Sequence, residues 1–195
     1  SLHDALPIYE ATVTLGNTVA MAGASVTVDL TPGAPALSGD LVLADSVKLS
    51  GATNANLCYA DTLDPALTAG KIVVCERGVI ARVDKSAEVA RAGGLGMILV
   101  NVVPGSTDLD NHAVPTVHLD AQFHDALMAY AATAGATASL AAGNSTGIEP
   151  ATPQVAGFSS RGPVLADGSG ILKPDISAPG VAIIADGANA AGESP

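Results

Sequence analysis

Gly70–Asn101 reads GKIVVCERGVIARVDKSAEVARAGGLGMILVN, and this stretch decides the fold. Ile72–Cys75 and Leu95–Val100 are short apolar runs bounded by glycine, the pattern of buried strands. Between them Val83, Ala87 and Ala90 fall at i, i+4 and i+7. That spacing predicts a helix whose small, apolar face lies close on the sheet. Asp84 is expected to cap the helix start, and Gly93-Gly94 to supply its left-handed exit. Two buried strands joined through a helix form a crossover unit, with the strands parallel.

Upstream, Glu10–Leu15 (EATVTL) alternates like a half-buried strand. Gly16-Asn17 marks a turn, and Val19–Met21 begins a return strand, as in a hairpin. Val26–Leu30 reads as a further strand, and residues 31–39 (TPGAPALSG) as a Pro/Gly break of the kind that separates domains. Leu41–Ala44 opens a new apolar run, and residues 52–65 are loop-like around Cys58. Residues 1–8 (SLHDALPI) carry no pattern, join abruptly to the first strand and read as a scar without a role. Downstream, residues 103–113 form a polar loop and Val114–Leu119 a strand entered through Pro115. Asp120 is expected to cap a helix striped by Phe123, Leu127, Tyr130 and Ala131 and closed by Gly135. Ala136–Leu140 is a last strand, and residues 141–153 are a second Gly/Pro/Ser-rich break. The two breaks enclose an insert-like domain.

With 195 residues, 48% hydrophobic but only 3% aromatic, 21 glycines and 12 prolines, the chain suits short strands and turns rather than a helical bundle. A net charge of -11 repels nucleic acid and anionic membrane surfaces. No apolar run approaches the roughly 18 residues that would span a bilayer, and no basic region precedes an apolar leader. Cys58 and Cys75 are the only cysteines, without the second pair or histidines of a structural zinc site. They form either a disulfide or two buried thiols. A bridge over this separation would add about 3 kcal/mol, and the acidic, lysine-poor composition favours the bridge.

Three stretches together carry a family resemblance. LDPALTAGKIVVCERG, EVARAGGLGMILVN and AVPTVHLD resemble the protease-associated (PA) domain, over about residues 30–142. Val155–Pro163 (VAGFSSRGP) and Leu172–Val181 (LKPDISAPGV) resemble paired segments of the subtilisin-like serine proteases, and ATVTLGN resembles the catalytic-domain strand before a PA insertion. The chain is thus identified as a subtilase segment containing a PA domain. The resemblance implies a mixed α/β fold: a PA-type sheet or open barrel flanked by helices, plus edge segments of a subtilisin-like three-layer α/β/α domain. It assigns residues 1–28 to the catalytic-domain flank, 29–142 to the PA insert, and 143–195 to the return into the catalytic domain.

The same resemblance places the triad Asp and His and the oxyanion-hole Asn upstream of Ser1, and the nucleophile in a GTS motif after Gly180. The chain contains no GTS, so no catalytic residue is carried over, and it is expected to hydrolyse nothing alone. Ser159 and Ser160 are structural in the family pattern, and no G-x-S-x-G elbow surrounds them. Phe158, Ser159, Arg161, Gly162, Pro163, Lys173, Pro174, Asp175, Pro179 and Gly180 are read as scaffold beside the absent serine segment. Lys173-Pro174-Asp175 could fix a turn through the carboxylate.

Other residues suggest sites of their own. Of the four histidines, His118 and His124 fall on a strand and a helix without helical i, i+4 partners, and read with His3 and His112 as surface or packing residues. Asp108, Asp110 and Asn111 faintly resemble a calcium loop, but the glycine and terminal glutamate are missing, so a solvated acidic loop is the reading taken. No cofactor is assigned; calcium would belong to the parent enzyme. Asn144-Ser145-Thr146 matches the N-glycosylation pattern on a surface loop.

Two functions remain. In the first, the parent is a secreted endopeptidase acting on protein or peptide substrates, and the PA insert restricts substrate access, contacts proteins or mediates self-association. In the second, the chain is a free-standing PA interaction module. The FSSRGP and KPDISAPGV segments favour the first.

Overall fold

The computed structural model describes residues 10–148 apart from 30 and 32. Seven strands close into a barrel in the order β1-β2-β6-β5-β4-β3-β7. They are β1 (Glu10–Leu15), β2 (Ala20–Ala24), β3 (Leu37–Leu43), β4 (Ile72–Glu76), β5 (Gly96–Val100), β6 (Thr116–Leu119) and β7 (Thr137–Ala142). Helices α1 (Pro65–Thr68), α2 (Arg82–Arg91) and α3 (His124–Ala131) lie between them. β3, β4, β5 and β6 run parallel, with Val73 opposite Met97 and Ile98 opposite Val117. The remaining pairings are antiparallel, and β1 closes the ring by pairing with both β2 and β7. Closure leaves no unpaired sheet edge.

The continuous apolar runs of β4 and β5 follow from burial on both faces. Ile72, Val74, Ile98 and Val100 point into the barrel with Val13, Leu15, Met21, Val117, Leu119 and Leu140. Val73, Cys75, Met97 and Leu99 point outward, into a second cluster with Val89 and Ala92, at the end of α2, and with Ala44, Val47, Cys58 and Leu63. α3 joins the interior cluster through Leu127 and Ala131, with Phe123 and Tyr130 beside them, as its stripe predicts. At the exit of α2, Gly93 has φ +74, and a Cβ on Gly94 would lie 2.5 Å from Val89 Cγ1. The paired glycines therefore do two jobs: one reverses the chain and the other allows close approach.

Several expectations are corrected. Residues 10–28 are not a flank outside the insert: Ala11 pairs with Ala142 and Ala24 with His118, so the first hairpin is part of the barrel. The barrel is closed, not open, for the same reason. Of the strand expected at Val26–Leu30, the described residues 26–29 are not extended, because Ser25 Oγ accepts from the Thr27 and Val28 N–H groups at 3.3 and 3.1 Å and bends the chain. The Pro/Gly break is shorter than expected, since Leu37–Gly39 already pair with β7. Asp84 does not cap α2; Ala81 holds the N-cap position with no side-chain bond. Asp120 likewise makes no cap bond to the turn it precedes.

The largest correction concerns the face of α2. Val83, Ala87 and Ala90 are exposed, while Lys85, Ser86, Glu88 and Val89 are buried. The helix touches the sheet through Val89 and Ala92 but turns charged residues toward the chain around Cys58. The expectations on residues 1–8 and on the segments from Val155 onward lie outside the described residues.

Candidate functional site

Because β4, β5 and β6 are parallel, the chain leaves all three at one end of the barrel, into residues 77–81, the first part of the loop that begins at Asn101, and residues 120–123. Three polar clusters hold the chain there. The first is a clamp on the loop carrying Cys58, which is bonded to Cys75 of β4 with a Cα–Cα distance of 5.8 Å. Glu88, 3% exposed, accepts from the N–H groups of Asp61, Thr62 and Leu63 at 3.0, 2.9 and 2.8 Å. Arg91 donates to both carboxylate oxygens at 2.7 Å and to Leu63 O at 2.8 Å. Burial alone would raise the Glu88 pKa; hydrogen bonds from Arg91, Leu63 and Asp61 and the Arg91 charge outweigh it and hold it below the usual carboxylate range. Lys85, 0% exposed, donates to Leu57 O at 2.6 Å. Its pKa is pushed down to about 8, by burial first and the Arg77 charge second, against Glu76.

The second cluster orders the loop after β5. Asp108 N–H donates to His118 Nδ1 at 3.1 Å, so the ring proton sits on Nε2 and is donated to Asn101 Oδ1 at 2.8 Å. Asn101 Nδ2 in turn donates to Asp120 Oδ1 at 3.0 Å and to Ser106 O at 3.2 Å, and Gly105 N–H reaches the same Asp120 oxygen. Asp120 thus ties down a loop rather than a helix start. Arg82 spans Asp108, at 2.9 Å, and Asp110, bonded through Nε and Nη2. The Asp108–Asp110 loop is therefore not a solvated acidic loop: its carboxylates are partly buried on an arginine. Among the described residues, no group of three or more His, Cys, Asp or Glu could hold a metal ion.

The third cluster joins the disulfide loop to α3. Glu76 Oε1 lies 2.8 Å from His124 Nε2, and its Oε2 accepts from Asn56. Asp125 Oδ1 lies 2.9 Å from His124 Nδ1. The bonds to Asp125 and Glu76 raise the His124 pKa, whereas burial, with the Arg82 charge, lowers that of His118 to about 4. His118 and His124 consequently titrate on opposite sides of the ordinary value. In an NMR titration, the His118 ring signals are expected to stay at their neutral positions down to about pH 5. Those of His124 should move with a midpoint above 6.5. A His118 midpoint near 6.5 would contradict the buried Nε2–H tautomer. The sign for stability is definite: His118 holds fewer protons folded than unfolded, so stability is lost as pH falls from about 6.5 toward about 4.

The sequence reading brings Cys58 to Cys75, and the structure holds them bonded; removing the bridge by Cys58→Ser/Cys75→Ser is expected to cost about 3 kcal/mol, read from urea midpoints at constant m-value. Two reactive thiols in unfolded, unreduced chain would argue against the bridge itself. Lys85, Glu88, Arg91 and Asn101 escape that reading. Their signal is the spacing of 85, 88 and 91, a charged stripe along one helix face among small residues. Ser159, Ser160 and the other scaffold candidates from Phe158 to Gly180 lie outside the described residues.

On the chain leaving β4 and β5, apolar side chains stand in solvent. Val79 is 90% and Val103 67% exposed, with Val83 and Val102 beside them in sequence also exposed. Glu76 and Val100 are paired neighbours, so Val79 and Val103 leave from adjacent strand ends.

The PA domain family matches residues 37–127. Subtilisin-like protease SBT1.7 from Arabidopsis thaliana is 45% identical over 147 residues, covering 73% of this chain and 19% of that protein. Subtilisin-like protease SBT1.5, also from Arabidopsis thaliana, is 36% identical over 191 residues, covering 91% of this chain and 24% of that protein. Among solved structures, a zinc aminopeptidase from Bacillus subtilis aligns with a TM-score of 0.48 at 18% identity, over 71% of this chain and 31% of its own. The chain spans about a fifth of the length of the curated relatives it matches. Residues 37–127 match the PA domain, and 91% of the chain aligns with a stretch of subtilisin-like protease sequence.

Proposed function

We propose that this chain belongs to a secreted subtilisin-like serine endopeptidase in which the barrel governs access of protein substrates, and that the chain hydrolyses nothing by itself. The single observation that carries the role is this end of the barrel: Asn101 and Asp120 fix the loop after β5 internally, while Val79, Val83, Val102 and Val103 face outward. Exposed apolar groups on a pre-ordered framework suit contact with another protein surface, because little loop entropy is lost on binding. Protein or peptide substrates of the parent are the partners, with self-association through the same face as a further outcome. The disulfide supports an oxidising, extracellular setting. The free-standing interaction module is the weaker reading, since similarity to SBT1.5 runs through nearly the whole chain.

The test uses the full-length enzyme. Val79→Asp/Val103→Asp should lower cleavage of a folded protein several-fold and leave cleavage of a short peptide unchanged. Equal loss on both substrates would refute gating. Inactivity of the present chain is checked with a serine-directed fluorophosphonate, where stoichiometric labelling would overturn it.

A further inference from the structure

We propose that Asn144 is an acceptor for an N-linked oligosaccharide. Asn144-Ser145-Thr146 is the only Asn-x-Ser/Thr triplet in the sequence, and its middle residue is not proline. The chain leaves β7 at Ala142, turns at Gly143 with φ +82, and presents the triplet on the surface. There Thr146 Oγ1 donates to Asn144 Oδ1 at 2.6 Å, and Thr146 N–H donates to the same oxygen at 3.0 Å. The hydroxyl two residues on is thus within reach of the carboxamide, and the triplet lies in a local turn. Asn144 Nδ2 donates to Ile148 O at 2.9 Å.

The inference rests on the secretory setting proposed above. The donor would be an oligosaccharide linked to a lipid pyrophosphate. Asn144 Nδ2 forms a bond to the sugar C1 as the C1–O bond to phosphate breaks. The lipid pyrophosphate leaves with that electron pair, and one Nδ2 proton passes to a base of the transferase. The second N–H remains, so the bond to Ile148 O can survive. The sugar would then sit beside the Ile148 side chain, which is 75% exposed. β7 is antiparallel to β3, and β3 is parallel to β4. The glycan therefore lies at the barrel end opposite the loops that carry Val79 and Val103, and leaves that face open.

The test is translation of the full chain behind a cleavable secretory signal, with microsomes present and external protease marking what has entered the lumen. The protected product is expected to migrate more slowly than the unmodified chain. N-glycosidase should remove the shift and leave aspartate at position 144 in the peptide mass spectrum. Asn144→Gln and Thr146→Ala should abolish the shift, while Thr146→Ser keeps it; because transfer precedes folding, none of these readouts needs a folded variant. A protected but unshifted chain overturns the proposal while leaving the secretory reading intact. Free thiols at both Cys58 and Cys75 in a shifted, protected chain would instead count against the oxidised extracellular state and leave Asn144 as an acceptor.

Discussion

A chain running from residue 29 to 148 is expected to lack a cooperative unfolding transition, whereas one running from residue 10 to 148 should unfold in a single step. The shorter chain matches the boundary that the sequence suggests, but it omits β1 and β2. β1 is the strand that closes the ring, bonded to β2 on one side and β7 on the other. Its loss leaves β7 and β6 as open edges and removes Ala11, Val13, Leu15 and Met21 from the interior. Burial of Val13, Leu15 and Met21 is worth about 2 kcal/mol each. Together that approaches the whole stability of a typical domain, about 5–15 kcal/mol. Thermal melts by circular dichroism, with amide dispersion in the proton–nitrogen spectrum, distinguish the two chains. A sharp melt and dispersed amides from the chain starting at 29 would show that the hairpin is dispensable.

Replacing Glu88 by alanine is expected to destabilise the domain by about 3–5 kcal/mol, the range for breaking a buried charge pair. The substitution strips three backbone N–H groups of their acceptor and leaves Arg91 without its bidentate partner. Glu88→Gln should cost less, because one amide oxygen can still accept while the amide N–H groups face donors. The contribution depends on pH with a definite sign. The folded pKa lies below the unfolded value of about 4.3. The stabilisation is therefore complete above about pH 4.3 and fades as pH falls through the folded pKa. Chevron or equilibrium urea curves at pH 7 and pH 3.5 measure both statements: the gap between wild type and Glu88→Ala should narrow in acid. A pH-independent gap below about 1 kcal/mol, no more than an exposed ion pair contributes, would mean that the disulfide alone holds the 57–63 loop. Since the bridge and the clamp grip the same loop, their losses should not add, and the double-mutant cycle is expected to show coupling.

Much of the barrel is legible because its strands answer to local rules. EATVTL alternates, and its predicted bounds are the observed ones; IVVC and GMILV are apolar throughout because both of their faces are covered. The stripe Phe123, Leu127, Tyr130, Ala131 predicts the inward face of α3 for the same reason. Where competing local bonds exist, the reading fails: Val26–Leu30 has strand-like composition, yet the Ser25 hydroxyl bends it. Asp84 and Asp120 have the chemistry of caps, but Asp120 spends its oxygen on Asn101 and Gly105, which only the folded loop brings near. The domain boundary fails differently. A Pro/Gly-rich stretch reads as a break, and the fact that the hairpin before it pairs with a strand more than a hundred residues later is invisible to local pattern.

By itself, then, the sequence determined the crossover unit at Gly70–Asn101, the parallel pairing of its strands and the left-handed exit at Gly93, because each depends on residues close in the chain. Which face of α2 is buried depends instead on contacts between segments far apart in the chain. A helix among apolar neighbours would bury Val83, Ala87 and Ala90; this one also meets a loop whose backbone N–H and carbonyl groups are withdrawn from water by the Cys58–Cys75 bridge. Those groups need partners, and leaving them unmet costs more than exposing three small side chains. Lys85, Glu88 and Arg91 supply the partners, 25 to 28 residues from the chain they hold.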